Sequence, residues 1–336
     1  MSVWDRDAGF NLLEAVQLKE LNLAKRAGSG GGQMGGSYQK TNDPDSPFVV
    51  ADLGYHGKRN RVRPVRAIWS AAAMLVVTGG AVTGIAAFAA GTTTSTTTTP
   101  EQWVTDNPML NQLNTIDPVS AQWFFNTSHS FVLGGAVSGF AATPVSKFDS
   151  YAAFSQALAA GTLPSGLKWV AYDNEDWSAT PLVEQQNPAK YMRLFANLAH
   201  KHGLHVIETP ARDLVLVSGA TCTKKAGQTL DQAYLACKIP ADARYANIFE
   251  IQAQADETVS TSAYANLVAT ANKQVLAVAP TITVMSGLTT DGGQTATQVF
   301  DCWNVTHGEV AGYWMNTTSA TVSVAAQALD EIRAAS

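Results

Sequence analysis

The chain predicts an α/β protein built around a TIM-like (β/α) barrel with fewer than eight recognisable units. A disordered N-terminal region and one transmembrane helix precede it. Three observations carry that prediction. From residue 101 onward, β-rich runs alternate with helical patterns at least six times in about 235 residues. No Gly-rich nucleotide loop follows any of the runs, which weighs against the other closure that fits, an open doubly wound sheet. Polar residues also gather where the runs end: Asp173 and Glu175 at one, Glu208 at another, Gln252 and Gln254 at a third, Asn316 at the last. In a barrel those ends converge on one rim.

Residues 1–66 are expected to be cytoplasmic and mostly disordered. One loose amphipathic helix spans 11–26, where Leu12, Leu13, Val16, Leu18, Leu21 and Leu23 are interleaved with charges. The Gly-, Ser-, Asn- and Asp-rich stretch 28–47 has no apolar periodicity with which to build a core. Residues 67–100 then contain no Asp, Glu, Lys or Arg, and the apolar part, 67–90, is long enough to span a bilayer as a helix. Lys58, Arg59, Arg61, Arg63 and Arg66 crowd its N-terminal side, and no Lys or Arg follows before Lys147. By the positive-inside rule the N-terminus is cytoplasmic and the barrel lies outside. The segment reads as a signal anchor in a single-pass cell-membrane protein. Cleavage near Ala89, where Ala87-Phe88-Ala89 has a small-x-small pattern, would make it a signal peptide and the protein secreted. The Thr-rich tract 91–100 is a linker that lifts the next domain off the surface.

Within 101–336 the expected strands are 130–134, 168–173, 205–209, 247–254, 275–283 and 310–315. Helices are expected at 148–160, 188–202, 229–236, 262–273, 295–303 and 320–335. The helix at 188–202 has the clearest grammar, with Asn187 as its cap, Pro188 in the first position and Gly203 past its end. Tyr191, Leu194, Phe195 and Leu198 form its expected buried stripe. Three cysteines lie beyond the membrane segment, where disulfides persist. Cys222 and Cys237 flank a polar loop and are expected to pair, while Cys302 is left as a small buried residue.

Charge excludes one class of partner. Residues 1–100 carry 10 Lys/Arg against 7 Asp/Glu, whereas residues 101–336 carry 12 against 20. An acidic barrel domain is unsuited to nucleic acid, whose phosphates require a basic surface. The H-K-H-G-L-H run at His200, His202 and His205 does not read as a metal site. Positions 200 and 202 are about 200° apart around a helix. No G-x-S-x-G elbow is present for serine chemistry. Neither a metal nor an organic cofactor is expected.

The chemistry is expected at Trp169–Tyr172 and just beyond, in W-V-A-Y-D-N-E-D-W. Asp173 and Glu175 are two apart, so on extended chain both project from one face. One carboxyl can keep its proton while the other is ionised, which is what sugar hydrolysis uses. A bland reading stands beside this one: a solvated loop in which Asp173 or Asp176 caps backbone N–H groups. Tyr172, Trp177 and Trp314 offer flat surfaces for sugar rings. Glu250, Gln252 and Gln254 alternate with Phe249, Ile251 and Ala253, giving a polar column for hydroxyl recognition or a hydrogen-bonded core network. Glu208 is a second acidic candidate, and Arg212 with Asp213 reads as a local ion pair.

The strand-borne D-x-E resembles the end of the catalytic signature of family 18 glycoside hydrolases, the chitinase-like barrels. The resemblance implies Glu175 as proton donor and Asp173 as the residue orienting a substrate acetamido group. Gly312-Tyr313-Trp314-Met315-Asn316 is similar to the last strand of such barrels, with the Trp flooring the sugar subsite. The family carries two further aspartates upstream, where this chain has apolar residues such as Val170 and Ala171. By the strands recognised here, the D-x-E ends the second rather than the fourth. The 101–336 block as a whole also resembles secreted domains of actinobacterial type, which brings no site residues with it. The expected function is a glycosidase-like hydrolase acting on an extracellular or cell-wall polysaccharide. The alternative is a catalytically inactive carbohydrate-binding or scaffold module. Glu175, Asp173 and Glu208 are the catalytic candidates. Tyr172, Trp177, Gln252, Gln254, Tyr313, Trp314 and Asn316 are the substrate-binding ones.

Overall fold

The strands of the domain close into a barrel in sequence order. The order is β1 (Gln102–Asp106), β2 (Phe131–Leu133), β3 (Thr143–Phe148), β4 (Trp169–Tyr172), β5 (His205–Glu208), β6 (Ile248–Ile251), β7 (Thr283–Thr289) and β8 (Gly312–Asn316). Every neighbouring pair is parallel, and β8 returns to pair with β1, with Gln102 opposite Gly312. This computed structural model describes residues 101–336. The expected helix at 11–26, the polar stretch 28–47, the membrane segment 67–90 and the linker 91–100 lie outside the described residues. Among the described residues no helix is long and apolar enough to cross a membrane.

The outer layer is formed by α1 (Asn107–Ile116), α2 (Pro118–Phe125), α3 (Tyr151–Ala160), α4 (Leu182–Gln185), α5 (Pro188–Lys201), α6 (Leu230–Ala236), α7 (Thr261–Val278), α8 (Ala296–Thr306) and α9 (Val322–Ala335). Local sequence explains where they start. Ser150 caps α3 by accepting from Ala153 N at 3.1 Å, and Thr229 and Thr295 build reciprocal capping boxes with Gln232 and Gln298. Between β2 and β3 the chain crosses directly through residues 134–142 without a helix.

Two apolar layers hold this arrangement. Val104, Phe131, Leu133, Val145, Ala171, Ile207, Ile248, Met285 and Trp314 fill the barrel interior. Residues of the opposite parity, Tyr172 and Tyr313 among them, pack outward against the helices. On α5, Phe195 stacks on Phe154 at 4.4 Å and on Tyr172 at 4.6 Å.

Several expectations are corrected here. The run 275–283 is not a strand: α7 continues to Val278, and β7 begins only at Thr283. The β-branched run there resembles a strand, yet Leu267, Val268, Ala271 and Val275 hold one helical face against the core. The strands β1 and β3 went unrecognised; β3 contains Pro144 and Lys147, both of which weigh against a strand reading. Their presence makes the D-x-E strand the fourth, not the second. The buried stripe of α5 is Met192, Phe195, Ala196 and Ala199, with Tyr191, Leu194 and Leu198 only half-buried. Asn187 does not cap α5 with its side chain and instead donates to Val183 O at 2.9 Å. Cys222 and Cys237 are disulfide-bonded, 5.6 Å apart at Cα, and closing such a loop is worth about 3 kcal/mol in the chain-entropy model. Cys302 is buried, and burial pushes its thiol up to about 12.

Candidate active site

The period of two along each strand divides the barrel interior into an apolar floor and a charged mouth. Val104 is followed two residues on by Asp106, Val145 by Lys147, Ala171 by Asp173, Ile207 by Thr209, Ile248 by Glu250 and Gln252, and Trp314 by Asn316. These upper residues line a cavity of about 480 Å³ at the C-terminal ends of the strands, with Glu175, Trp177, Arg212, Asp213 and Gln254 on its walls.

Asp173 is the best-anchored group in it. Its Oδ2 receives Lys147 Nζ at 2.7 Å, and its Oδ1 accepts from Thr209 Oγ1 at 2.7 Å and from Gln252 Nε2 at 3.3 Å. Lys147 also meets Asp149 at 3.1 Å and lies 5.3 Å from the centroid of the Trp177 ring. Burial alone would lower the Lys147 ammonium, but Asp173 and then Asp149 outweigh it and hold it above the ordinary lysine range. Lys147 is therefore a fixed cation in this site.

Glu175 is held more loosely. Gln252 Nε2 approaches its Oε1 at 3.4 Å while also donating to Thr209 O at 2.9 Å. One amide nitrogen has two hydrogens, so the shorter contact to Thr209 is favoured. Burial, then the charges of Asp173 and Asp213, push the Glu175 carboxyl up to about 7. Glu250 is 1% exposed, and burial together with Asp173 and Glu175 raises it well above the ordinary range. Asp106 is raised mainly by burial, as is Asp213. Asp213 does not pair with Arg212. Its Oδ1 accepts from Asp176 N at 3.1 Å, while Arg212 binds Asp231 and, at 2.7 Å, Asp256.

Of the sequence candidates, Asp173, Glu175, Trp177, Gln252, Gln254, Trp314 and Asn316 meet in this cavity. Three do not. Tyr172, fully buried, turns its ring onto Phe195 and donates from its hydroxyl to Glu184 Oε2 at 2.9 Å. Tyr313 faces the helices and shares a hydrogen bond with Thr306 Oγ1 at 3.0 Å. Glu208, the last residue of β5 and one short of inward-facing Thr209, is fully buried on the outer side, with no hydrogen-bond partner for either oxygen among the described residues. Strand parity decides all three cases.

Asp106, Lys147, Thr209 and Asp213 join the site without having been singled out for it. Asp106 is the last residue of β1 and Lys147 the last but one of β3, both strands that went unrecognised, so their placement had no signal. The three histidines do not converge: His200 Nε2 meets Asn247 Oδ1 at 3.1 Å, and the His205 ring stacks on Trp169 at 4.7 Å.

No protein-family model matches the sequence, and no curated protein is significantly similar to it. Among solved structures, it is similar to a Schiff-base-forming fructose-1,6-bisphosphate aldolase, at 10% identity over 70% of this chain and 92% of that one, with a TM-score of 0.35. It is also similar to bee venom hyaluronidase, at 8% identity over 70% of this chain and 96% of that one, with a TM-score of 0.43. Both likenesses are too remote to inform the chemistry.

Proposed function

We propose that the domain is a glycosidase-like hydrolase acting on an extracellular or cell-wall polysaccharide, with Glu175 as its general acid. The observation that carries this reading is a protonatable Glu175 in an open, aromatic-walled cleft, beside an Asp173 held by Lys147, Thr209 and Gln252. An acid that keeps its proton near neutral pH can transfer it to a glycosidic oxygen as the C–O bond breaks, the bonding pair leaving with that oxygen. Water then adds to the sugar carbon and returns a proton to Glu175. Asp173 has both oxygens engaged, which suits a fixed negative charge stabilising the cationic sugar better than a freely turning group. Trp314 and Trp177 serve as stacking surfaces, and Gln252, Gln254 and Asn316 as hydroxyl partners.

The second reading, a catalytically silent carbohydrate-binding or scaffold module, draws support from Ala171. It is inward-facing, fully buried and apolar, two residues before Asp173, on the stretch where chitinase-like barrels carry further aspartates. One experiment separates the two readings. The full-length protein and its Glu175→Gln variant are incubated with a polysaccharide panel, and products are analysed alongside binding and circular dichroism. Products from the wild type alone, with equal folding and binding, are expected. Unchanged turnover in the variant removes Glu175 from the role, and binding without products from either protein selects the silent module.

The same reading places the domain outside the cell, held by residues 67–90 as a single-pass membrane anchor or released by cleavage near Ala89. The basic flank at Lys58–Arg66 and the Cys222–Cys237 disulfide support that location.

A further inference from the structure

The charge balance of the cleft is lopsided in a way that hydrolysis does not require. Its two cations are already consumed, Lys147 by Asp173 and Asp149, and Arg212 by Asp231 and Asp256. Asp106, Asp213, Glu175 and Glu250 also line the cavity, and none of them pairs with a cation among the described residues. Glu250 is the most telling. It is 1% exposed, its side-chain hydrogen bonding among the described residues is one 3.4 Å contact from Gln254 to Oε1, and its Oε2 accepts nothing. With so little compensation Glu250 holds its proton, and an ammonium group entering beside Oε2 would supply the charge that favours its carboxylate.

The carboxylates are also spread around the wall. Among the described residues, no three His, Cys, Asp or Glu side chains converge closely enough to hold a metal ion. Such dispersal suits several positive charges spaced along an extended ligand rather than one point cation. An anionic polyuronate would meet repulsion from each wall, and an N-acetylated sugar would leave the carboxylates uncompensated. We propose that the cleft selects glycans bearing protonated amino groups, with Asp106, Asp213 and Glu250 receiving the amines. The substrate class named here rests on the hydrolase reading of the same cleft, whereas the binding preference stands without it.

The test uses the full-length protein with three probes: a glucosamine hexasaccharide, the same hexasaccharide fully N-acetylated, and a galacturonate hexasaccharide. Affinity is measured by calorimetry at low and high salt, and products are followed by mass spectrometry. The amino oligomer is expected to bind at least about tenfold more tightly than the N-acetylated one, with the gap narrowing as salt rises. The gap should also narrow in Asp213→Asn and in Glu250→Gln. Equal or weaker binding of the amino oligomer, a preference insensitive to salt, or binding of none of the probes overturns the proposal. Cleavage reports separately. Amine-selective binding without products leaves the proposal standing and removes the hydrolase reading. Cleavage of the N-acetylated oligomer with no preference for amines does the reverse.

Discussion

Glu175 sits half-buried between Asp173 and Asp213, and its carboxyl is pushed up to about 7, first by burial and then by those two charges. A general acid works only while protonated, so activity should decline on the alkaline side with an apparent midpoint near 7. Removing a neighbouring negative charge makes ionisation easier, so Asp213→Asn should move that alkaline limb to lower pH. A kcat/KM profile from wild type and variant reads both effects; an unmoved or upward-moved limb would separate Asp213 from the acid. The pair Asp173 and Glu175 was legible from its spacing of two, although β4 ends at Tyr172 and both residues stand in the loop just beyond it. Lys147 was not legible: a lone lysine in a run containing Pro144 gives no sign that it will stand near the end of a strand beside Asp173.

At the level of single elements, β7 contributes room rather than chemistry. Gly287 faces the interior where Glu250 and Gln254 lie, and a Cβ there would overlap the Gln254 amide and Glu250 Oε1. Those are side-chain ends that can shift. Gly287→Ala should therefore cost only about 1–3 kcal/mol of stability while displacing both groups and weakening glycan binding about tenfold or more. Thermal melts beside binding isotherms test this, and unchanged affinity would show that Glu250 and Gln254 do not touch ligand. Six helices were readable from residue 148 onward, whereas α1 and α2 went unrecognised; α6 and α8 start at capping-box threonines, which are local features. The strands were harder. A buried strand of four or five residues carries too few positions to distinguish it from a helix end, which is how the tail of α7 came to resemble one.

For the molecule as a whole, buried carboxyls dominate the pH response. Burial raises Glu208 and Glu250 well above the ordinary range and pushes Glu257 up to about 9. The folded protein thus keeps protons that the unfolded chain releases above about 4.5, so stability falls as pH rises from there through about 9. Melting temperature should decline across that window, and Glu208→Gln should flatten the decline and raise the midpoint at alkaline pH. A melting temperature that holds level or climbs would contradict it. Local rules were enough for the class of the domain: alternating β and α signals, the caps, the cysteine pair and the D-x-E spacing all follow from neighbours in the chain. Closure of the barrel, the missing helix between β2 and β3, and the outward turn of Tyr172, Glu208 and Tyr313 were decided only in three dimensions. Strand register sets which parity faces the cavity, and register depends on hydrogen bonds between segments far apart in sequence, as where Gly312 meets Gln102.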